Sequence, residues 1–128
     1  MIHIDQVFVV EGRYDRNKLS QIFDAAIIET DGFGIFKQPE KMELLRHLAE
    51  TRGIIVFTDS DGAGFLIRNR IKSAISTGNV FHAYIPDIYG KEKRKRASSK
   101  EGKLGVEGVS NQVIIDAVQR CGIEMTET

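Results

Sequence analysis

The 128-residue chain has one cysteine, two prolines and no excess of either charge. A single thiol excludes an internal disulfide and any cysteine zinc cluster, and Cys121, late in a helical pattern and away from other candidate ligands, reads as a plain buried or half-buried thiol. The three histidines lack metal-ligand spacing, which argues against zinc: His82 falls within a strand and reads as packing, and His3 and His47 read as peripheral. Basic and acidic residues balance at 18 each, so whole-chain charge points neither to nucleic acid nor to a membrane. No apolar run approaches the ~20 residues of a membrane span, and no basic leader opens the chain. A cytoplasmic location is expected.

The length is that of one ordinary domain. "QVFVV" (6–10) is a short β-branched apolar run of the kind covered on both faces of a sheet, and it stops at Glu11-Gly12. Asp15 is expected to cap the helix that follows, whose buried stripe carries Leu19, Ile22 and Phe23. "AIIE" (26–29) predicts a second strand, ending in the turn "TDGFG" (30–34). Pro39 suits the start of a helix with Met42, Leu45, Leu48 and Ala49 inward and Gly53 at its end. "IIVFT" (54–58) predicts a third strand, followed by a helix from about Gly64 to Thr77, and "VFHAYI" (80–85) predicts a fourth strand, before Pro86.

Strand and helix alternate three times, the pattern of a doubly wound α/β domain with a parallel sheet and helices on both faces. Residues 86–105 then lose hydrophobic period and read as a basic surface loop. A last helix from about Ser110 to Cys121 turns Val113, Ile114, Ala117 and Val118 inward, and the acidic tail is expected to fray. The expected organisation is one domain over 1–122, with 123–128 a tail and a candidate boundary to a further C-terminal domain. No internal repeat is present.

Charge is unevenly spread. Lys91, Lys93, Arg94, Lys95, Arg96, Lys100 and Lys103 stand against Glu92 and Glu101, a local net of +5 that leaves the remainder at −5. Such a stretch can clamp a phosphate backbone, although a solvated charged loop is the common alternative. Arg13, Lys18 and Arg68 are candidates for the same surface, as are Arg70 and Lys72. Few aromatics interleave with these cations, which favours backbone recognition of a duplex or structured RNA over single-strand stacking. Tyr14, Tyr84 and Tyr89 read as core or groove residues.

Ligands of an open parallel sheet bind outside the carboxyl ends of its strands, where strand order reverses. Glu11 follows the first strand, Asp31 the second, and Asp59 and Asp61 the third. If the first and third strands are neighbours, three carboxylates meet in one crevice, and like charges so placed call for a cation. Mg²⁺ suits carboxylate oxygens best. Alternation along an extended segment puts Asp59 and Asp61 on one side, while Gly62 and Gly64 allow a sharp turn and close approach of a substrate; Gly12 ends the first strand in a similar way. A turn with a helix cap is the bland reading of Asp-x-Asp-Gly, and Asp31-Gly32 reads as a turn pair.

"VFVVEGRYD" (7–15) followed by "IIVFTDSDGAG" (54–64) resembles the Toprim domain, shared by topoisomerases, bacterial primases, recombination proteins and certain nucleases. "ETDGFG", "TRGIIVFTDSD", "HAYIP" and "KLGVEGVS", in that order, resemble most the branch containing the ribonuclease that matures 5S ribosomal RNA. The resemblance covers the whole chain and implies a Rossmann-like Toprim fold with a sheet of about four parallel strands. It also implies Glu11 as general acid/base or metal ligand and Asp59 and Asp61 as Mg²⁺ ligands, with Mn²⁺ a substitute. Glu107 matches an acidic position of that branch, either a supporting ligand or a helix-entry charge.

The implied activity is Mg²⁺-dependent phosphodiester cleavage of structured RNA, with water as nucleophile. A topoisomerase tyrosine or a primase's template site would need domains with no counterpart here. Two alternatives stay open: a Toprim module that binds nucleic acid or metal without cutting, and a phosphatase of the haloacid dehalogenase type. Against the latter, a whole βαβα unit precedes the Asp-x-Asp-Gly motif, and Ala63 replaces the expected threonine. Because that ribonuclease branch generally continues into a further RNA-holding domain, such a domain or a protein cofactor is an expected partner.

Overall fold

The computed structural model describes residues 1–30, 34–58, 62–84 and 110–127. In chain order the described elements are β1 (Ile2–His3), β2 (Val7–Val10), α1 (Arg13–Ile22), β3 (Phe23–Asp24), β4 (Ile27–Glu29), a 3₁₀ turn (Gly34–Lys37), α2 (Pro39–Thr51), β5 (Ile54–Thr58), α3 (Gly62–Ala74), β6 (Val80–Tyr84), α4 (Asn111–Gln119) and β7 (Thr126–Glu127). Four of these strands form an all-parallel sheet in the order β4-β2-β5-β6. The chain starts this sheet at β2, steps outward to β4, then returns to the other side of β2 for β5 and β6. Strand order therefore reverses between β2 and β5, which makes their carboxyl ends the switch-point crevice.

Every residue of β2 and β5 is buried, as their unbroken apolar runs require of strands covered on both faces. Phe8, Val10, Ile55 and Phe57 face Leu19 and Ile22 of α1 and Ile114, Ala117 and Val118 of α4. Their alternates Val7, Val9, Ile54 and Val56 face Met42, Leu45 and Ala49 of α2 and Ile67 and Ile71 of α3. Each large apolar side chain so buried contributes about 1.5–3 kcal/mol, which fixes register, because a one-residue slip would exchange the two faces. Phe8 joins the layers on its side, with its ring 5.2 Å from Phe23 and 6.4 Å, edge-on, from Phe57.

Helix ends follow local chemistry. Pro39 opens α2, and Gly53 follows its last turn with φ +88°. Ser110 caps α4, its hydroxyl accepting from the Val113 amide at 3.4 Å. Asp15 does not cap α1: the N-cap is Gly12, and Asp15 sits in the first turn, where its charge suits the helix dipole. Helix α3 begins at Gly62, two residues ahead of the periodic pattern, and ends at Ala74.

A second sheet was not foreseen. β1 pairs in parallel with β3 and antiparallel with β7, through Ile2 with Phe23 and Glu127. Residues 126–127 are thus strand where a frayed tail was expected, and Ile123 is buried just before them. Two-residue strands carry too little sequence to display a period.

Candidate active site at the carboxyl edge

β2 and β5 lie side by side, with Val7 opposite Ile54, Phe8 opposite Ile55 and Val9 opposite Val56. Continued past the pairing, that register brings Glu11 level with Thr58, the residue before Asp59. Glu11 is half-buried, held at the rim because β2 ends there and α1 begins two residues on. The proximity expected of the first and third strands is therefore present in the backbone. Asp31, Asp59, Asp61 and Glu107 lie outside the described residues, as do Lys91, Lys93, Arg94, Lys95, Arg96, Lys100, Lys103 and Tyr89. Among the described residues no group of three or more His, Cys, Asp or Glu could hold a metal.

Gly12 has extended backbone, φ −155°, and a Cβ built on it meets no atom of the described residues within 4 Å. Neither dihedral nor packing demands glycine there. Among the described residues, its missing side chain leaves open space next to Glu11. Gly62 and Gly64 both lie in the first turn of α3.

Among the described candidate cations, Arg68 reaches the strand ends. It is half-buried, and its Nη1 donates a 2.7 Å hydrogen bond to Thr58 Oγ1, itself 1% exposed at the last position of β5. Sequence reasoning missed Thr58, whose signal was a polar residue closing an otherwise apolar strand. Arg70 and Lys72 are exposed, and the Arg70 guanidinium lies 4.9 Å over the Phe36 ring. At the start of α1, Arg13 is exposed and Lys18 partly buried, while Arg16 is committed to Glu29 at 3.1 Å. Tyr14 is 68% exposed, so it belongs to no core.

His82, on β6, is half-buried, and its Nδ1 has no hydrogen-bond partner among the described residues. Burial lowers its pKa below the ordinary 6.5, and the charges of Arg68 and Lys72 act in the same direction. The expectation of a packed strand histidine agrees with this. Cys121 is half-buried, its thiol donating to the His82 carbonyl at 3.3 Å, and burial raises its pKa. It lines a cleft of about 640 Å³ between β6 and α4, apart from the ends of β2 and β5. No described helix is long and apolar enough to cross a membrane.

The profile of the Toprim domain matches residues 5–85, which contain β2, the switch point and β6. Ribonuclease M5 of Staphylococcus aureus is 38% identical over 104 residues, covering 81% of this chain and 52% of that protein. Ribonuclease M5 1 of Ligilactobacillus salivarius (strain UCC118) is 35% identical over 124 residues, 97% of this chain and 62% of that protein. The chain thus spans little more than half the length of these curated relatives. A solved structure, the small TOPRIM domain protein from Bacillus stearothermophilus, superimposes with a TM-score of 0.68 over 96% of this chain and 93% of its own, at 19% identity. Sequence profile, strand order and superposition agree, and the chain belongs to the Toprim domain family.

Proposed function

We propose that the chain carries the cleaving site of a divalent-metal-dependent endoribonuclease acting on structured RNA. The observation that carries this reading is the adjacency of β2 and β5, whose register sets Glu11 level with Thr58, the residue that Asp59 follows in the sequence. Its chemistry is supported by the name Ribonuclease M5 borne by relatives at 35–38% identity.

The donor set at this edge fits a hard cation: carboxylates follow both strands, with no thiol or imidazole at the described ends of β2 and β5. Glu11, Asp59 and Asp61 would hold Mg²⁺, with Glu107 a supporting ligand. When bound, that ion neutralises charge on a phosphodiester and lowers the pKa of a water. The chain's own groups do the rest. Glu11 orients the attacking water or accepts its proton. Arg68, fixed by Thr58, brings a planar donor to the phosphate. Arg13, Lys18 and the basic residues of 91–103 hold the flanking backbone by releasing its counterions.

The test is cleavage of end-labelled RNA and DNA, including a 5S ribosomal RNA precursor, with and without Mg²⁺, by wild type and by Glu11→Gln and Asp59→Asn. Mg²⁺-dependent cutting of RNA that both substitutions abolish is expected. Binding to the panel without cleavage by wild type would instead support a non-catalytic binding module.

A further inference from the structure

Tyr14 has no role in the core and none in the chemistry assigned to Glu11. It stands in the first turn of α1, three residues past Glu11, with 68% of its surface exposed. Burying an aromatic ring is among the more favourable events available to a side chain, so a ring left in water beside a reaction centre is informative. Side chains of a helix lean toward its N-terminus, and the N-terminus of α1 is at the carboxyl edge of the sheet. That tilt sets the Cα–Cβ bond of Tyr14 toward the carboxyl edge. One turn on, Lys18 falls on the same face of the helix, and Arg13 precedes it, exposed. Asn17 and Gln21, both exposed, complete this face, and Asp15, half-buried as Lys18 is, lies one position round the helix from it. Arg16, the other cation of this segment, is tied to Glu29.

An exposed ring flanked by two cations, with no carboxylate on its face of the helix, offers what one nucleotide presents: a flat π-surface and a phosphate on either side. A base inside a duplex has both faces covered by its neighbours and could not use the ring. We propose that Tyr14 is a stacking platform for an unpaired nucleobase next to the scissile phosphodiester, with Arg13 and Lys18 holding the adjoining phosphates. This inference rests on the reading of the crevice as a phosphodiester-cleaving site. It narrows the substrate class to structured RNA that presents an unpaired nucleotide at the cut. The single aromatic here escapes a sequence reading that looks for several interleaved with the basic residues.

The experiment uses the full chain with Glu11→Gln, so that RNA stays uncut, and a hairpin RNA with an unpaired 2-aminopurine at the loop junction. A second hairpin carries an abasic site at that position. Binding quenches 2-aminopurine emission when the base stacks. The expected result is quenching with Tyr14, quenching kept by Tyr14→Phe, and loss of quenching with about tenfold weaker binding by Tyr14→Leu. The abasic hairpin is expected to bind Tyr14 and Tyr14→Leu chains alike. Equal quenching by the leucine variant, or the same loss of affinity on both hairpins, overturns the stacking role and leaves the nuclease reading intact. Failure of the Tyr14 chain to bind either hairpin overturns both.

Discussion

The Arg68 guanidinium donates to the Thr58 hydroxyl at 2.7 Å, tying the second turn of α3 to the last residue of β5. Thr58 is almost wholly buried, so its hydroxyl needs a partner, and Arg68 supplies a charged donor. Thr58→Val keeps the volume and removes the acceptor. It should cost ~1–2 kcal/mol of stability, read from urea denaturation, and the cost should largely vanish in an Arg68→Ala background. RNA cleavage should also fall, because the guanidinium loses the anchor that fixes its plane; Arg68→Lys, a point charge without the fork, should not substitute.

Gly12 allows the substrate's need for space to be separated from the needs of the fold. Its extended backbone suits an N-cap, and an added Cβ meets nothing among the described residues. Gly12→Ser should therefore stabilise the chain by a few tenths of ~1 kcal/mol through a new cap hydrogen bond to α1. If the absent side chain leaves room for a phosphate beside Glu11, the same change should lower cleavage by about tenfold or more. Thermal unfolding and initial rates on one preparation give both readings.

The central fold was legible because its strands are short, unbroken apolar runs separated by amphipathic helices. "IIVFT" is strand over its whole predicted length, and "VFHAYI" is strand from Val80 to Tyr84, with Ile85 outside the described residues. Periodicity carries no information on strand order, so adjacency of the first and third strands is not legible in the sequence; β2 and β5 do pair. The small sheet of β1, β3 and β7 was invisible, two residues being too few for alternation. At the site, Glu11 could be anticipated because a charge ends an apolar run. Thr58 showed only as a polar residue closing an apolar strand, without the partner ten residues on that gives it meaning, and the role of Tyr14 lies in its exposure to solvent. Family membership removes the phosphatase alternative, which rested on Asp-x-Asp-Gly alone.

Gly78 holds the chain against the end of α2 at the opposite edge of the sheet. Its φ is +87°, and a Cβ there would lie 2.5 Å from the backbone of Ala49. Rigid helix backbone cannot yield as a flexible side chain would. The approach is functional for the fold, because Asn79 donates to the Ala49 carbonyl at 2.8 Å and accepts from Ile54 at 2.9 Å, linking α2 to β5. Gly78→Ala should cost at least ~2 kcal/mol in urea denaturation, from the left-handed backbone and the overlap together. Gly122 has a similar φ of +81°, but a Cβ there meets nothing within 4 Å among the described residues. Gly122→Ala should bear only the backbone part, about 1 kcal/mol, and the difference between the two variants measures the clash.

His3 and His82 should make opposite contributions to stability on either side of neutral pH. His3 Nε2 is 2.8 Å from Asp5 and Nδ1 is 3.3 Å from Asp24, and these hydrogen bonds raise its pKa above 6.5. In the folded chain His3 holds its proton more tightly than in the unfolded one. Its contribution is therefore complete below pH 6.5 and is lost as pH rises through the folded value. For His82, burial first and then Arg68 and Lys72 lower the pKa, so the unfolded chain binds the proton more tightly. That contribution is complete above pH 6.5 and is lost as pH falls. Imidazole NMR titration should place His3 above 6.5, His82 below it, and His82 closer to 6.5 once Arg68 is replaced by alanine. Denaturation midpoints across the same range should lose their acid-side slope in His82→Gln and their alkaline-side slope in His3→Gln. An unchanged acid slope in His82→Gln would mean that water reaches the imidazole and that its burial on β6 does not govern the titration.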